Sequence, residues 1–306
     1  MNKLALDSLN LSVLKALAFF QKNPPPRFQL KKYPFPLVVG SGNAINVGLA
    51  IFDQQKAIFA NESNFRLILK RYRDLIKQKN ISHAVIISAS GEKDSVWEIK
   101  EAKKAGLKTV LLTCSPASRA AKIAHETYIF PKLSEPYTYN VSTYLGMIMA
   151  ATGEKASTIT QFIFNLKLPK NFKKYRAYSF ILPDEWGAIA LMLEIKKSEL
   201  FGPNLSLRAF SYGESRHAKF VIREKDELVI SFGKNKYFGH PQHRWEIKKP
   251  KTANKAWAMA VSYFLIGLIQ DAHPDYFRPN LVKFCRDYGY KAYAGAKPFD
   301  IIVPGN

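Results

Sequence analysis

A chain of 306 residues, 47% apolar and 23% charged, has the make-up of a globular protein and the length for two domains of about 150 residues each. Two cysteines, Cys114 and Cys285, exclude a disulfide framework and fit a reducing, cytoplasmic setting. The 46 Lys and Arg against 24 Asp and Glu leave a formal charge of +22. The basic residues are scattered in short groups, such as Lys70, Arg71 and Arg73 or Lys170, Lys173 and Lys174, with no helix-turn-helix, finger or RNP-like motif, so the expected partner is a small anion rather than nucleic acid.

Met1 to Asn10 holds no apolar run before a small-residue cleavage site, which argues against a secretory signal. Leu4 to Gln21 has the pattern of an amphipathic helix and stops at Pro24-Pro25-Pro26. Short apolar runs then alternate with helical patterns. Strands are expected at Leu37 to Val39, Lys56 to Phe59, His83 to Ser88, Thr109 to Thr113 and Thr127 to Phe130. Helices are expected from Ala44, over Glu62 to Lys77, after Gly91, over Ala117 to Ala124 and over Tyr137 to Ala150. The polar, basic stretch Asn165 to Lys174 reads as a linker. Beyond it the alternation restarts, with strands at Ala177 to Leu182, Leu205 to Phe210 and Glu227 to Phe232. Helices there run over Glu185 to Glu199, Thr252 to Gln270 and Phe277 to Tyr288. The apolar run Ala256 to Ile269 is too short to span a bilayer and reads as a buried helix, so no membrane is expected. The fold class is α/β, with doubly wound parallel sheets in three flavodoxin-like α/β/α layers. The expected parts are a lead helix over 1–32, a first domain over 33–165, and a second over 175–306 with C-terminal helices and a tail.

The segment Ile87-Ser88-Ala89-Ser90-Gly91-Glu92-Lys93-Asp94-Ser95 carries the clearest chemistry. A buried strand ends in hydroxyls and a glycine and runs into a helix. Helix N-termini offer free N–H groups and the positive end of a dipole, which favour an anion such as phosphate. A plain N-cap by Ser90 would use the same residues. Gly239-His240-Pro241-Gln242-His243 holds two histidines, but Pro241 and the lack of nearby cysteines or carboxylates argue against zinc. No phosphate loop of the nucleotide-binding kind is present, and neither metal nor cofactor is expected.

The Ser88 to Ser95 segment resembles the Ser-x-Ser-Gly-Glu/Asn-Thr signature of sugar-isomerase-type (SIS) domains. Val38-Val39-Gly40-Ser41-Gly42-Asn43-Ala44 is similar to the glycine-rich turn after their first strand, and Ser134-Glu135 to Ser142-Thr143 resembles their acidic loop and the start of their last helix. The resemblance implies two SIS domains and a phosphorylated sugar or amino sugar held by Gly42, Asn43, Ser88, Ser90, Lys93, Ser95, Glu135 and Ser142. Two positions depart from the family pattern. Ala44 stands where it has a serine, and its threonine after Gly-Glu is missing, so Lys93 or Ser95 must substitute.

The second half resembles the isomerase part of glutamine–fructose-6-phosphate aminotransferase and related phosphosugar isomerases and deglycases. Glu199 at the end of Lys196-Lys197-Ser198-Glu199, His217 in Gly213-Glu214-Ser215-Arg216-His217, and Lys283 in Arg278 to Lys283 match its catalytic glutamate, histidine and lysine. Aldose–ketose exchange through a cis-enediol suits that trio, with a carboxylate to move a proton between carbons, an acid–base group to open the ring, and a cation for the enediolate oxygen. Each residue also has a plain structural reading: a solvated salt bridge for Glu199, an exposed loop for His217, a lysine-rich surface for Lys283. Deaminase or deglycase chemistry on an amino-sugar phosphate, or a non-catalytic sensor, are the alternatives. Because a histidine of that family reaches a neighbouring subunit, the resemblance also implies a homodimer.

Overall fold

The computed structural model describes residues 6–218, 220, 223–292 and 299–306. They divide into two compact units that are not simple halves of the chain. One holds 22–132, 143–153 and 306; the other holds residues up to Gln21, 133–142 and 154–305.

The first-sheet unit is built on alternating elements: β1 (Leu37–Gly40), α2 (Asn43–Phe52), β2 (Ile58–Ala60), α3 (Phe65–Arg71), α4 (Arg73–Lys77), β3 (His83–Ile87), α5 (Asp94–Lys104), β4 (Lys108–Thr113), α6 (Arg119–Ile123) and β5 (Glu126–Ile129). The strands are parallel and ordered β2-β1-β3-β4-β5. All four residues of β1 are buried, and so are the last four of β3, which is why these strands read as unbroken apolar runs rather than as alternations. Leu37, Val39, Ala84, Ile86 and Leu111 face a layer formed by α3 to α6. Val38 and Ile87 face the other way, against α2, where a Cβ on Gly48 would come within 2.7 Å of Val38 Cγ1. The expected helix over Glu62 to Lys77 is two helices, because the chain bends at Tyr72.

The second-sheet unit holds α1 (Leu9–Lys22, grouped here as far as Gln21), β6 (Glu135–Pro136), α8 (Ala156–Phe164), β7 (Ala177–Leu182), α9 (Gly187–Phe201), β8 (Ser206–Ser211), α10 (Tyr212–His217), β9 (Glu227–Ser231), β10 (Arg244–Glu246), α11 (Lys255–Ala272), α12 (Phe277–Ala292) and β11 (Ile302–Val303). Its four strands are parallel in the order β10-β9-β7-β8, which repeats the order of β4, β3, β1 and β2 without a fifth strand. Helix α11 is the apolar run noted in the sequence, and Ala256 to Val261 are all buried in it. A Cβ on Gly267 would stand 1.9 Å from the Asn10 backbone N, so α1 crosses α11 where only glycine fits. Strand β11 pairs antiparallel with β6. Helix α7 (Val141–Thr152) starts later than Tyr137, because Thr138 and Asn140 take left-handed φ of 71° and 49°, which no right-handed helix contains. Among the described residues no helix is long and apolar enough to cross a membrane.

Candidate functional site

In the first sheet, β1 and β3 lie side by side while their connections leave in opposite directions. The crevice beyond their carboxyl ends is the place where open α/β sheets take ligands. After β1, a Cβ on Gly40 would stand 2.9 Å from the Ala44 carbonyl carbon, and Gly42 takes φ +56°. Helix α2 then begins at Asn43 with no capping side chain. Asn43 is buried and accepts from Asn46 Nδ2 at 3.3 Å.

After β3 the chain makes a tight turn. The Gly91 N–H donates to Ser88 at both its carbonyl (3.2 Å) and its Oγ (3.2 Å), and the Glu92 N–H donates to Ser90 Oγ at 3.3 Å. Ser95 Oγ donates to the Glu92 carbonyl at 2.8 Å. Gly91 has φ +60°, and a Cβ there would lie 2.2 Å from Ser118 Oγ, so glycine is required twice over. Lys93 is the residue before α5 and holds φ +53°, a conformation rare for a side chain of its kind. Helix α5 also starts without a capping side chain. The Ser90 hydroxyl therefore braces the turn rather than capping the helix.

Glu92 pins the far side of this turn. Its Oε1 takes the Arg119 N–H at 2.9 Å, and its Oε2 pairs with the Arg119 guanidinium. Burial alone would raise the Glu92 carboxyl, but the Arg119 hydrogen bonds, with the charges of Arg119 and Lys122, hold it below the usual range. Burial lowers the Lys93 ammonium, against the pull of Asp94.

The second-sheet unit gathers a different group. Lys196 on α9 is fully buried and donates to Glu199 Oε2 at 2.5 Å and to the carbonyl of left-handed Thr138. The Tyr263 ring lies 5.7 Å from its Nζ. Sequence reasoning singled out Glu199 but missed Lys196 and Thr138. The available signal was the spacing of three residues, which puts Lys196 and Glu199 on one helix face. Glu194, one and a half turns earlier, is spent on structure: Oε1 accepts the Ala209 N–H at 2.7 Å and Oε2 pairs with Lys197 at 2.8 Å.

The other expected site residues have plainer surroundings. His217 is exposed at the end of α10, a helix closed by a reciprocal cap between Ser211 and Glu214. Lys283 is exposed on α12. Among the described residues neither shares a hydrogen bond or ion pair with Glu199. Glu135 and Ser142 are brought together: Glu135 Oε2 accepts the Val141 and Ser142 N–H groups at 2.8 and 3.2 Å, and Oε1 accepts the Ser142 hydroxyl at 3.1 Å. These bonds cap the start of α7.

No protein-family model matches the chain, and no curated protein matches it significantly. Its fold does match solved structures. A glucosamine-6-phosphate deaminase from Thermotoga maritima aligns with a TM-score of 0.58 at 17% identity, over 86% of this chain and 94% of that one. The C-terminal domain of glucosamine-fructose-6-phosphate aminotransferase from Francisella tularensis gives 0.52 at 12% identity, over 88% and 94%. Tagatose-6-phosphate ketose/aldose isomerase from Escherichia coli gives 0.50 at 12%, over 86% and 88%. At such identities the likeness is one of fold, and it bears out the α/β class with parallel sheets flanked by helices.

Proposed function

We propose that this chain binds a phosphorylated sugar on the Ser88 to Ser95 turn and interconverts its aldose and ketose forms. The observation that carries the reading is the pair of helices, α2 and α5, that begin at adjacent strand ends of the first sheet with no side chain of their own on their N-termini. Two helix dipoles and the hydroxyls of Ser88 and Ser90 favour a dianion there. Lys93 supplies a point charge where the resembling family has a hydroxyl.

Glu199 is the candidate base. The buried Lys196 ammonium fixes its carboxylate, so the base does not search among rotamers before taking a proton from the substrate carbon. The abstracted proton returns to the neighbouring carbon from the same carboxyl group, while the proton of the adjacent hydroxyl passes to the former carbonyl oxygen, so the cis-enediol route ends with carbonyl and hydroxyl exchanged. Lys196 also stands ready to offset the charge that develops on an enediolate oxygen. His217 for ring opening, Lys283 for the substrate oxygen, and assembly as a homodimer belong to this reading. Deaminase chemistry on an amino-sugar phosphate is the second reading, favoured by the deaminase among the fold neighbours.

The experiment is a thermal-shift screen with sugar phosphates, followed by NMR of each hit in deuterated water. Deuterium entering C1 or C2 supports isomerisation. Release of ammonia replaces it with the second reading. Binding with neither outcome makes the chain a sensor, and no hit at all removes the phosphosugar assignment.

A further inference from the structure

Helices α3 to α6 form one layer on the first sheet, their apolar sides joined in one cluster through Phe65, Ile68, Ile76, Ile99 and Ala120. What they turn outward is basic. Arg66 and Lys70 on α3, Lys77 on α4, Lys100 and Lys103 on α5 and Lys122 on α6 are all exposed, and among the described residues none is in an ion pair. Of the acids in this layer, Asp74 pairs with Arg73, Glu101 with Lys104 and Glu92 with Arg119, and Asp94 accepts from Trp97 Nε1, so the basic residues outnumber the acids left without an ion pair. Residues more than fifty positions apart thus meet on one face, although the sequence shows only scattered short groups. On the sheet's other side α2 carries no charged residue at all.

Like charges collected on a rigid face repel one another and attract a polyanion, whose condensed counterions are released on contact. The chemistry of the face selects among polyanions. A bilayer-lying surface needs bulky apolar side chains, and the exposed large hydrophobic here is Leu67 alone. Single strands need exposed rings on which bases stack, whereas Trp97 and Tyr72 are half-buried and Trp97 is covered by Arg66 at 5.0 Å. A protein partner needs an apolar centre to the contact, which this face lacks. We propose that the outer face of α3 to α6 is a binding surface for the phosphate backbone of duplex nucleic acid, read without regard to base sequence.

The test is fluorescence anisotropy with the full chain and a labelled DNA duplex of roughly 20 base pairs, from about 50 to 200 mM salt. Binding that weakens by at least about tenfold across that range is expected, since each phosphate contact contributes a log–log slope of about −0.9. Charge reversal at Lys100, Lys103 and Lys122 together should cost at least about tenfold at low salt and flatten the slope. The matched reversal at Lys170, Lys173 and Lys174, exposed residues of the other unit, changes net charge equally and should leave affinity within about twofold. Neutralising only Lys100→Gln and Lys103→Gln, with circular dichroism as the folding check, should give an intermediate loss. No binding at low salt, equal loss in both reversed variants, or tighter binding to phosphatidylserine vesicles than to DNA would overturn the proposal.

Discussion

The two parallel sheets share one order over four strands, yet the loops at their carboxyl ends are chemically unlike. Beyond β3 the first sheet presents Ser88, Ser90 and an uncapped helix start. Beyond β7 the second presents Pro183, Asp184 and Glu185 before α9. Asp184 Oδ1 takes the Gly213 N–H at 2.7 Å, and Glu185 pairs with Lys249 at 3.2 Å. Beyond β9 no helix of length follows, only a three-residue turn at Pro241 before β10. A repeated fold has therefore not repeated the features on which the proposed anion site rests. Topology supplies the crevice, and the loop residues decide whether negative charge is welcome there.

The largest expected effect tests the base. Glu199→Gln should lower turnover by about 10² to 10⁴-fold with KM nearly unchanged, because it keeps shape and loses basicity. Glu194→Gln should leave turnover alone and cost about 1 kcal/mol of stability, since its carboxylate ties α9 to β8. Steady-state kinetics and melting curves separate the two; turnover lost in the Glu194 variant alone would move the base to that position.

Next come two helix carboxyls in contrasting surroundings, Glu194 partly exposed and Glu98 buried. Glu194 has both oxygens satisfied, whereas Glu98 on α5 is 1% exposed and its Oε1 has no hydrogen-bond partner. Burial first, then the neighbouring charges of Asp94 and Glu62, pushes the Glu98 carboxyl up to about 8. A raised carboxyl contributes its stability fully below the ordinary value near 4.5 and loses it as pH rises through about 8. Glu98→Gln should thus be more stable than the parent at pH 8, by on the order of 3 kcal/mol, and lack the parent's decline between those values. Melting curves that run parallel across that range would refute the assignment.

The proposed anion turn is tested third. Ser90→Asp should weaken sugar-phosphate binding at least tenfold (~1.4 kcal/mol) by like-charge repulsion, while Asp184→Ser in the second sheet should leave it unchanged. Isothermal titration with any hit from the thermal-shift screen decides, and unchanged affinity in the Ser90 variant would remove the phosphate from this turn. A last comparison, of stability alone, sets two glycines near helix starts against each other. Gly91→Ala should cost about 1–3 kcal/mol, from its left-handed backbone and the Ser118 contact. Gly187→Ala meets nothing within 4 Å and should stay within about 0.5 kcal/mol.

By itself the sequence determined the α/β class and most of the strands. A parallel strand covered on both faces must be apolar at every position, so Leu37 to Gly40 and His83 to Ile87 announce themselves without their neighbours. It also marked the Ser88 to Ser95 turn, because a strand, hydroxyls, a glycine and a helix follow one another locally. Short pieces defined by remote partners stayed hidden: β10 exists through its pairing with β9, and β6 through β11. So did the use of each charged side chain. Lys196 looks like its neighbour Lys197, yet one is fully buried against Glu199 and the Thr138 carbonyl and the other lies at the surface. Likewise Glu135 reads as a candidate ligand group until its oxygens are found on the first turn of α7. Apolar pattern is a local property of the chain. The fate of a charge depends on which distant groups desolvate it and which pair with it, and only the tertiary structure decides that.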